Sequence, residues 1–389
     1  MKMKLFAAAV AALAAGGAYA QSSVTLYGVV DAGIEYANHQ PTAAGGSHDV
    51  VRLTSGNMSG SRWGLRGVED LGGGLKGIFV LESGFNIDNG TSGQGGRLFG
   101  RQAFVGVQSQ FGTLSLGRHQ TPFYDFGLAF DPMAISSNYS ITAQDSAFAS
   151  RADNSIKYTG TFGGLTAALL YSTGANTVGT TATAYQGLSG EVPGSYKTGR
   201  EYSVSLIYNG GPFAVGAVFD ETNLGNPVVA GVNTASAKVQ RASVAGSYAF
   251  GPAKVFAGYR YAHGLQGAIL PGAIPAGGST AGGSSVNVSN LYWLGLGYQL
   301  TPALSLTGSA YYQDFRNTGA DPWTFVVSTD YAFSKRTDAY FNVSYAKNKD
   351  GSNLGVSSIG PGSINSTGFG TTNNGANQFG AVVGVRHKF

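Results

Sequence analysis

Positively charged side chains recur at alternate positions of several short segments, and in an extended strand this spacing places them on one face. Arg62 and Arg66 alternate with Trp63 and Leu65, so the two arginines share a face that the apolar residues avoid. The same reasoning assigns further cations to the polar faces of other segments: Lys76, Arg101, Arg151, Lys157, Arg241, Lys254 and Arg260. Rows of such cations in a channel favour anions over cations, so ion recognition is the chemistry this pattern favours. A hydrated or salt-bridged wall without a selective role is the alternative for each residue.

Other chemistries find no matching residue pattern in the chain. The sequence contains no cysteine, which excludes disulfides, thiolate metal sites and a cysteine nucleophile. The five histidines are His39, His48, His119, His263 and His387. None of them has a motif-like catalytic or metal-binding partner in sequence. The glycine-rich stretch 72–77 joins two strands rather than opening a helix, so it is a turn and not a phosphate loop. We therefore expect neither a cofactor nor an enzyme.

One long connection, residues 119–150, differs in composition from the others. Its first part is rich in Phe and Tyr, whereas residues 351–375 consist mostly of Gly, Ser, Asn and Thr. An apolar loop needs a surface to pack against, and the inner wall of a barrel offers one. Folded inward, the loop would narrow a channel and place Asp125 or Asp131 opposite the arginines, where opposed charges set ion preference. An external lid or a subunit-contact loop is the alternative.

The elements that position these residues are about 16 alternating segments of roughly 8–13 residues, a length that crosses a bilayer when tilted. Short turns and long polar connections follow each other in strict succession, which a soluble β-sandwich would not require. In the segment 323–333 the outward set is Trp323, Phe325, Val327, Tyr331 and Phe333, with aromatic residues near both ends. The sequence therefore predicts an all-β fold, a transmembrane antiparallel β-barrel of 16 strands with a constriction loop folded into the lumen.

Both ends of the chain agree with this fold. Residues 377–389 alternate apolar and polar positions up to Phe389, as a strand that closes a barrel would. Residues 1–20 combine Lys2 and Lys4, a short apolar run and small residues before position 21, which is typical of a signal peptide. The barrel domain would then cover residues 21–389. The net charge of +4 falls to +2 without the two lysines, which is too small to suggest nucleic acid.

Several stretches together resemble one family. They are SVTLYG at 23–28, SRWGLRGVEDLGGGLK at 61–76, RQAFVG at 101–106, FGTLSLGR at 111–118, RADNSIKY at 151–158, and the terminal Phe389. As a set they are similar to the general porins of Gram-negative outer membranes, in the β-proteobacterial branch that includes Burkholderia, Bordetella and Neisseria. The residue before Lys388 is His387, where the family's assembly signal has an aliphatic residue.

The resemblance implies a 16-stranded homotrimer in the Gram-negative outer membrane, with the third loop in the lumen. It implies a basic cluster at the constriction, which maps to Arg62, Arg101 and Arg151 here, with Asp125 and Asp131 as the acids facing it. The other lumen charges would be Arg66, Lys76, Lys157, Arg241, Lys254 and Arg260. It also implies that Phe389 is the recognition point for the outer-membrane assembly machinery. Other expected partners are outer-membrane lipid, lipopolysaccharide, small ions and hydrophilic solutes.

The function that these observations predict is passive diffusion of small hydrophilic solutes and ions through a water-filled pore, with a weak to moderate anion preference. A channel tuned to particular anions, such as phosphate or organic acids, is the alternative. An outer-membrane barrel enzyme or an adhesin is a more remote one.

Overall fold

The structure, a computed structural model, describes residues 23–41, 46–175, 191, 193–194, 196–223, 228–229, 232–233, 237–266, 268, 270, 287–316, 319–356, 372 and 375–389. The expected signal peptide, residues 1–20, lies outside these ranges and stays a prediction. Among the described residues, no helix is both long enough and apolar enough to cross a membrane.

Sixteen strands, counted over the described residues, form one antiparallel sheet that closes on itself, which confirms the predicted fold class. They are β1 Ser23–Pro41, β2 in the two segments Ser47–Ser55 and Arg62–Gly72, β3 Leu75–Gly84, β4 Gln102–Ser109, β5 Gly112–Gln120, β6 Arg151–Phe162, β7 Leu165–Ser172, β8 Glu201–Gly210, β9 Phe213–Asn223, β10 Lys238–Phe250, β11 Ala253–Leu265, β12 Val288–Gln299, β13 Leu304–Phe315, β14 Trp323–Ala332, β15 Thr337–Lys347 and β16 Gln378–Lys388. Val228–Val229 and Val232–Asn233 form a separate short pairing.

The connections between strands alternate in length, as the sequence predicted. At one end of the barrel, successive strands are joined by turns of two to four residues, for example between Phe162 and Leu165. At the other end lie the long connections, which contain the helical elements. These elements are a four-residue turn Gly93–Gly96, the helix α1 Pro122–Phe130, and the 3-10 segments Ile141–Ala143 and Ser146–Ala149. The inserted loop 119–150 thus starts from the same end as the other long connections.

The two faces of the wall differ as the two-residue period requires. Trp323, Phe325 and Val327 are 40–46% exposed on the outside, whereas Thr324 and Val326 between them are buried. An apolar outer wall with aromatic residues near the strand ends suits a lipid environment, because the rings sit best at the two lipid–water interfaces. The predicted outward set on β14 is thereby confirmed.

The strand β2 is interrupted, which the sequence did not predict. The alternation of apolar and polar residues predicts one strand over residues 52–68, but residues 56–61 leave the sheet between the two segments. The first segment pairs with the second half of β1, and the second segment pairs with the first half of β1. Gly56 has a φ of 71°, a left-handed conformation that glycine adopts easily, and the turn of the chain starts there.

The barrel closes where β16 meets β1. Nine consecutive residue pairs join the strands, from Val29 with Lys388 to Ala37 with Gly380. Gly28 and Phe389 then exchange two backbone hydrogen bonds of 3.0 and 3.1 Å. A Cβ at position 28 would clash with the Phe389 ring, so this glycine provides the space in which the ring packs. Phe389 therefore takes part in the seam itself.

We expect Phe389→Ala to lower the amount of folded barrel in the outer membrane several-fold, because the ring fills the closing seam and the residue is the predicted assembly signal. Heat-modifiable mobility on gels of outer-membrane fractions measures this amount. Lys388→Ala is the matched control, since Lys388 is half exposed beside the same seam. Equal yields of the two variants would contradict the prediction.

Candidate pore constriction

The inner loop, defined as residues 121–150, lies inside the barrel. Its helix α1 starts after Thr121, whose hydroxyl accepts a hydrogen bond from the Tyr124 N–H (3.2 Å), and Pro122 occupies its first turn. Phe123, Phe126 and Phe130 on one side of the helix are fully buried. They form a core with inward residues of the barrel wall, and apolar burial of this kind stabilises each large side chain by about 1.5–3 kcal/mol.

The helix ends against β12. The Trp293 indole N–H donates to the Phe130 carbonyl oxygen over 3.0 Å, which satisfies a backbone acceptor at the end of α1. Pro132 packs where Gly295 has no side chain, so a Cβ at position 295 would clash with the proline ring. The predicted inward pose of the loop is confirmed, and aromatic packing fixes this part of it.

An ion cluster holds the returning part of the inner loop. The Asp145 carboxylate lies 3.2 Å from the Arg241 Nε and 3.2 Å from the Arg260 Nε, and all three side chains are almost fully buried. Burial raises the pKa of Asp145, but the two guanidinium groups outweigh it and hold the pKa below its usual value. Arg241 and Arg260 point inward as predicted. The expectation that they line the hydrated lumen is wrong, because the loop covers them.

Asp131 does not face the arginine cluster, contrary to the prediction. It is buried at the end of α1, where it accepts hydrogen bonds from the Tyr311 hydroxyl and, over 2.7 Å, from the Ile135 N–H. Burial raises the pKa of Asp131 to about 6, against the opposing effect of these hydrogen bonds. The physical reason for its position is that the buried turn after α1 has a backbone donor, the Ile135 N–H, which needs an acceptor, and the Asp131 carboxylate supplies it. The backbone N–H of Asp131 donates to the Gly127 carbonyl oxygen over 2.8 Å and so closes the last turn of α1.

The tip of the inner loop reaches the wall on the far side, at β1 and β2. The Tyr139 hydroxyl donates to the Glu35 carboxylate over 3.0 Å, and Glu35 also pairs with Arg52 at 2.7 Å. The Asn138 side-chain amide donates to the Asn57 oxygen over 2.7 Å. The loop therefore crosses the lumen and is anchored at both walls.

The predicted arginines meet around a carboxylate that the sequence pattern had not singled out. The Arg101 Nε lies 2.7 Å from Glu82, and the Arg62 Nε lies 3.8 Å from the other Glu82 oxygen. The Tyr27 hydroxyl also donates to Glu82, over 3.0 Å. The signal for Glu82 was present in the sequence, because it alternates with Leu81 on β3 and so belongs to the inward set.

Arg101 reaches this site by a different route from the one that the sequence indicated. The alternation in the sequence predicts a strand over residues 98–109 with Arg101 on the face opposite Phe104. Arg101 actually precedes the first residue of β4, in a bend where its N–H donates to the Glu82 carbonyl oxygen over 3.1 Å. Phe104 itself stacks on the His119 ring.

Arg151 completes the basic cluster, which we define as Arg62, Arg101 and Arg151. Its guanidinium carbon lies 5.3 Å from the centre of the Tyr124 ring on α1, and its Nη1 donates to the Ala149 carbonyl oxygen. Within the described part of the chain, the salt bridges give this cluster one carboxylate, Glu82. Three guanidinium groups beside one carboxylate leave an excess of positive charge.

Asp125 faces a lysine instead of the basic cluster. Its carboxylate pairs with the Lys157 ammonium group at 2.6 Å, and Lys157 also donates to the Gln120 carbonyl oxygen. This pair ties the first turn of α1 to β6. Asp125 lies on the inner loop as predicted, but its charge is compensated locally.

The remaining predicted lumen charges are spread along the inner wall. Arg66 lies on β2, four residues after Arg62 of the basic cluster. Its guanidinium carbon lies 5.8 Å from the centre of the Tyr27 ring. Lys76 and Lys254 are exposed and lie next to the short turns, with the Lys254 Nζ 4.7 Å from the centre of the Phe256 ring. The two-residue period does not decide which face Arg118 is on. In the structure it pairs with Asp153 in a second ion cluster that includes Arg97.

A closed membrane-type barrel, a loop across its lumen and an excess of inward arginines define a channel-forming outer-membrane protein. Residues 7–351 match the model of the Gram-negative porin family. The chain is 35% identical to an outer membrane porin protein of Bordetella pertussis, over 90% of this chain and 95% of that protein. It is 31% identical to the outer membrane porin protein 32 of Delftia acidovorans, over the whole of both. The chain belongs to the Gram-negative porin family, and it is an outer-membrane protein.

Solved structures of porins match the fold of this chain. The anion-selective porin from Comamonas acidovorans superposes with a TM-score of 0.72 at 27% identity, covering 95% of this chain and 100% of that one. OmpF of Salmonella typhi, at 16% identity and a TM-score of 0.61, covers 94% and 97% and shares the fold.

We expect Asp145→Asn to loosen the inner loop, because the neutral amide leaves Arg241 and Arg260 buried without their counter-charge, a loss of about 3–5 kcal/mol. Single-channel recordings should show larger current noise and frequent closures. Asp125→Asn is the control, since its ion pair with Lys157 is partly exposed and weaker. A quiet Asp145→Asn channel would contradict the anchoring role.

The pKa of Asp131 predicts a pH effect on stability. Because the folded state raises this pKa from 3.8 to about 6, the folded protein binds the proton more tightly than the unfolded chain. This contribution to stability is present below pH 4 and is lost as the pH rises to about 6. The free energy of unfolding in guanidinium should fall between pH 4.5 and pH 7.5 in the wild type. In Asp131→Asn it should fall less over the same interval. Equal losses would contradict the prediction.

Proposed function

We propose that the protein allows passive diffusion of small hydrophilic solutes and ions across the outer membrane, with a weak to moderate preference for anions and without catalysis. The observation that carries this proposal is the basic cluster, in which three guanidinium groups accompany only Glu82 among the described residues. Asp125 is paired with Lys157 and Asp131 is buried, so neither predicted acid offsets the cluster. The similarity to the Comamonas acidovorans porin, which is anion-selective, supports the same preference.

The size of the effect follows from electrostatics. One excess charge about 7 Å from a permeating ion changes its energy by roughly 0.6–2.4 kcal/mol for effective dielectric constants between 80 and 20. Since about 1.4 kcal/mol is a tenfold ratio, this range corresponds to a preference of about 3-fold to 60-fold per excess charge, which is graded and not a strict exclusion of cations. Salt screens charges beyond about 10 Å at 0.1 M, so the preference should weaken at high ionic strength.

The test replaces the whole cluster with neutral residues, Arg62→Gln, Arg101→Gln and Arg151→Gln. We expect the reversal potential in asymmetric KCl to shift toward cation preference, because Glu82 then dominates the site. Planar-bilayer recordings with purified protein measure the shift.

The control removes the same number of positive charges away from the constriction, with Lys335→Gln, Arg336→Gln and Lys388→Gln near the turn between β14 and β15. This variant should keep most of the wild-type reversal potential. Reversal potentials that do not differ between the cluster variant and the wild type would refute the assignment. Saturable block of the wild-type current by one anion, such as phosphate, would instead favour a solute-specific channel.

We infer the remaining properties from family membership. The protein would be a homotrimer surrounded by outer-membrane lipid and lipopolysaccharide, and its insertion would depend on the outer-membrane assembly machinery that recognises Phe389. Residues 1–20 would be removed as a signal peptide, which leaves the barrel domain 21–389. The apolar outer wall, exemplified by Leu294 and Phe325, is consistent with contact to lipid or to a second copy.

A further inference from the structure

The interruption of β2 creates a second element inside the barrel. The inner bend, defined as residues 56–61, contacts inward residues of the strands on either side of the closing seam. The Asn342 amide on β15 donates to the Met58 sulfur over 2.9 Å, and the Arg386 guanidinium on β16 donates to the Ser59 hydroxyl over 2.9 Å. Met58 also packs against the core formed by the inner loop. The bend therefore lies in the lumen next to the constriction.

A single buried carboxylate holds this bend. One oxygen of Asp31 on β1 accepts hydrogen bonds from the N–H groups of Met58 (2.9 Å) and Ser59 (2.8 Å). The other oxygen accepts the Tyr340 hydroxyl of β15. The backbone of Asp31 is engaged as well, because its carbonyl oxygen accepts the Gly56 N–H and its N–H donates to the Ser61 hydroxyl. Asp31 is fully buried, so these contacts satisfy a carboxylate that water does not reach.

The bend touches both parts of the constriction. The Arg62 Nη1 donates to the Gly60 carbonyl oxygen over 3.0 Å, and a Cβ on Gly60 would lie 3.1 Å from the Arg101 Nη1. At its other end, the Asn57 carbonyl oxygen accepts the Asn138 N–H from the tip of the inner loop over 3.1 Å. The basic cluster and the loop tip are therefore connected through residues 56–61.

We propose that the inner bend is a second constriction element and that Asp31 is the positioning residue that keeps it between the basic cluster and the tip of the inner loop. In this arrangement Asp31 sets the width of the pore and the positions of Arg62 and Arg101 without contacting the permeating ion. The selectivity part of the proposal depends on the proposed function, whereas the width part does not.

Charge and geometry predict opposite signs for the loss of Asp31, which makes the proposal testable. If Asp31 acted only through its charge, its neutral variant would make the lumen more positive and raise the anion preference. If Asp31 acts by holding the bend, its loss releases Gly60 from the arginines and widens the passage. A permeating ion then passes farther from the cluster, and the anion preference falls.

The experiment compares Asp31→Asn with Asp330→Asn in planar bilayers. Asp330 is a matched inward carboxylate that pairs with Arg386 at 3.1 Å, and Arg386 keeps its second partner Asp338 at 2.9 Å, so the bend stays in place. We expect Asp31→Asn to raise single-channel conductance by about half and to lower the anion-to-cation permeability ratio roughly twofold. Asp330→Asn should leave the ratio equal or higher.

A permeability ratio that rises in both variants, with unchanged conductance, would overturn the proposal. If Asp31→Asn does not assemble, Asn57→Ala removes the hydrogen bond that the Asn138 side-chain amide donates to the Asn57 side chain (2.7 Å). It therefore weakens the link between the bend and the loop tip and leaves Asp31 in place. It should raise conductance in the same direction, and a wild-type conductance there would also overturn the proposal. If the wild-type channel showed no anion preference, only the proposed function would be refuted. The conductances of Asp31→Asn and Asn57→Ala would still test the role of the bend.

Discussion

The whole structure depends on the need of a membrane-embedded backbone to satisfy its own hydrogen bonds. Lipid offers no partner for an N–H or a carbonyl group, so a sheet in the bilayer must close. Here closure is achieved by nine residue pairs between β16 and β1 and by the exchange of backbone bonds between Gly28 and Phe389. Because every strand is then paired on both sides, each side chain points either to lipid or to the lumen. The strict two-residue period that makes the outer wall apolar is the direct result.

Closure also creates an interior that is too wide for the wall's side chains to fill. The inner loop occupies part of this space, and its two halves are held by different forces. Around α1 the phenylalanines pack against the wall. This apolar packing favours burial of the loop but does little to select one orientation for it. On the returning part, Asp145 between Arg241 and Arg260 specifies direction strongly, because buried charges tolerate only an arrangement in which they are paired. The loop therefore has both a driving force and a fixed register.

The charged side chains that remain hydrated in the lumen influence a permeating ion through their distance from its path as well as through their number. Glu82 binds Arg62 and Arg101 and so reduces the charge of the cluster, yet it also fixes where the guanidinium groups point. The inner bend provides a second restraint on the same groups through Gly60. Width and charge are thus coupled, since the elements that narrow the channel are the elements that hold the arginines.

The sequence by itself determined the sheet. Its period of two, its alternating connection lengths and its apolar outer faces follow from local rules that each strand obeys separately, so β14 could be predicted without knowledge of its neighbours. The inward orientation of Arg62 and the unusual composition of the inner loop could likewise be recognised from the local sequence. Only the tertiary structure decided which charges stay in the pore. Arg241 and Arg260 share the inward face with Arg62, but a loop more than 90 residues distant in sequence covers them. The burial of Asp131 beside Tyr311 and the break in β2 at residues 56–61 depend in the same way on contacts with other strands and with the inner loop. Such contacts join residues far apart in the chain, and no spacing within one strand reports them.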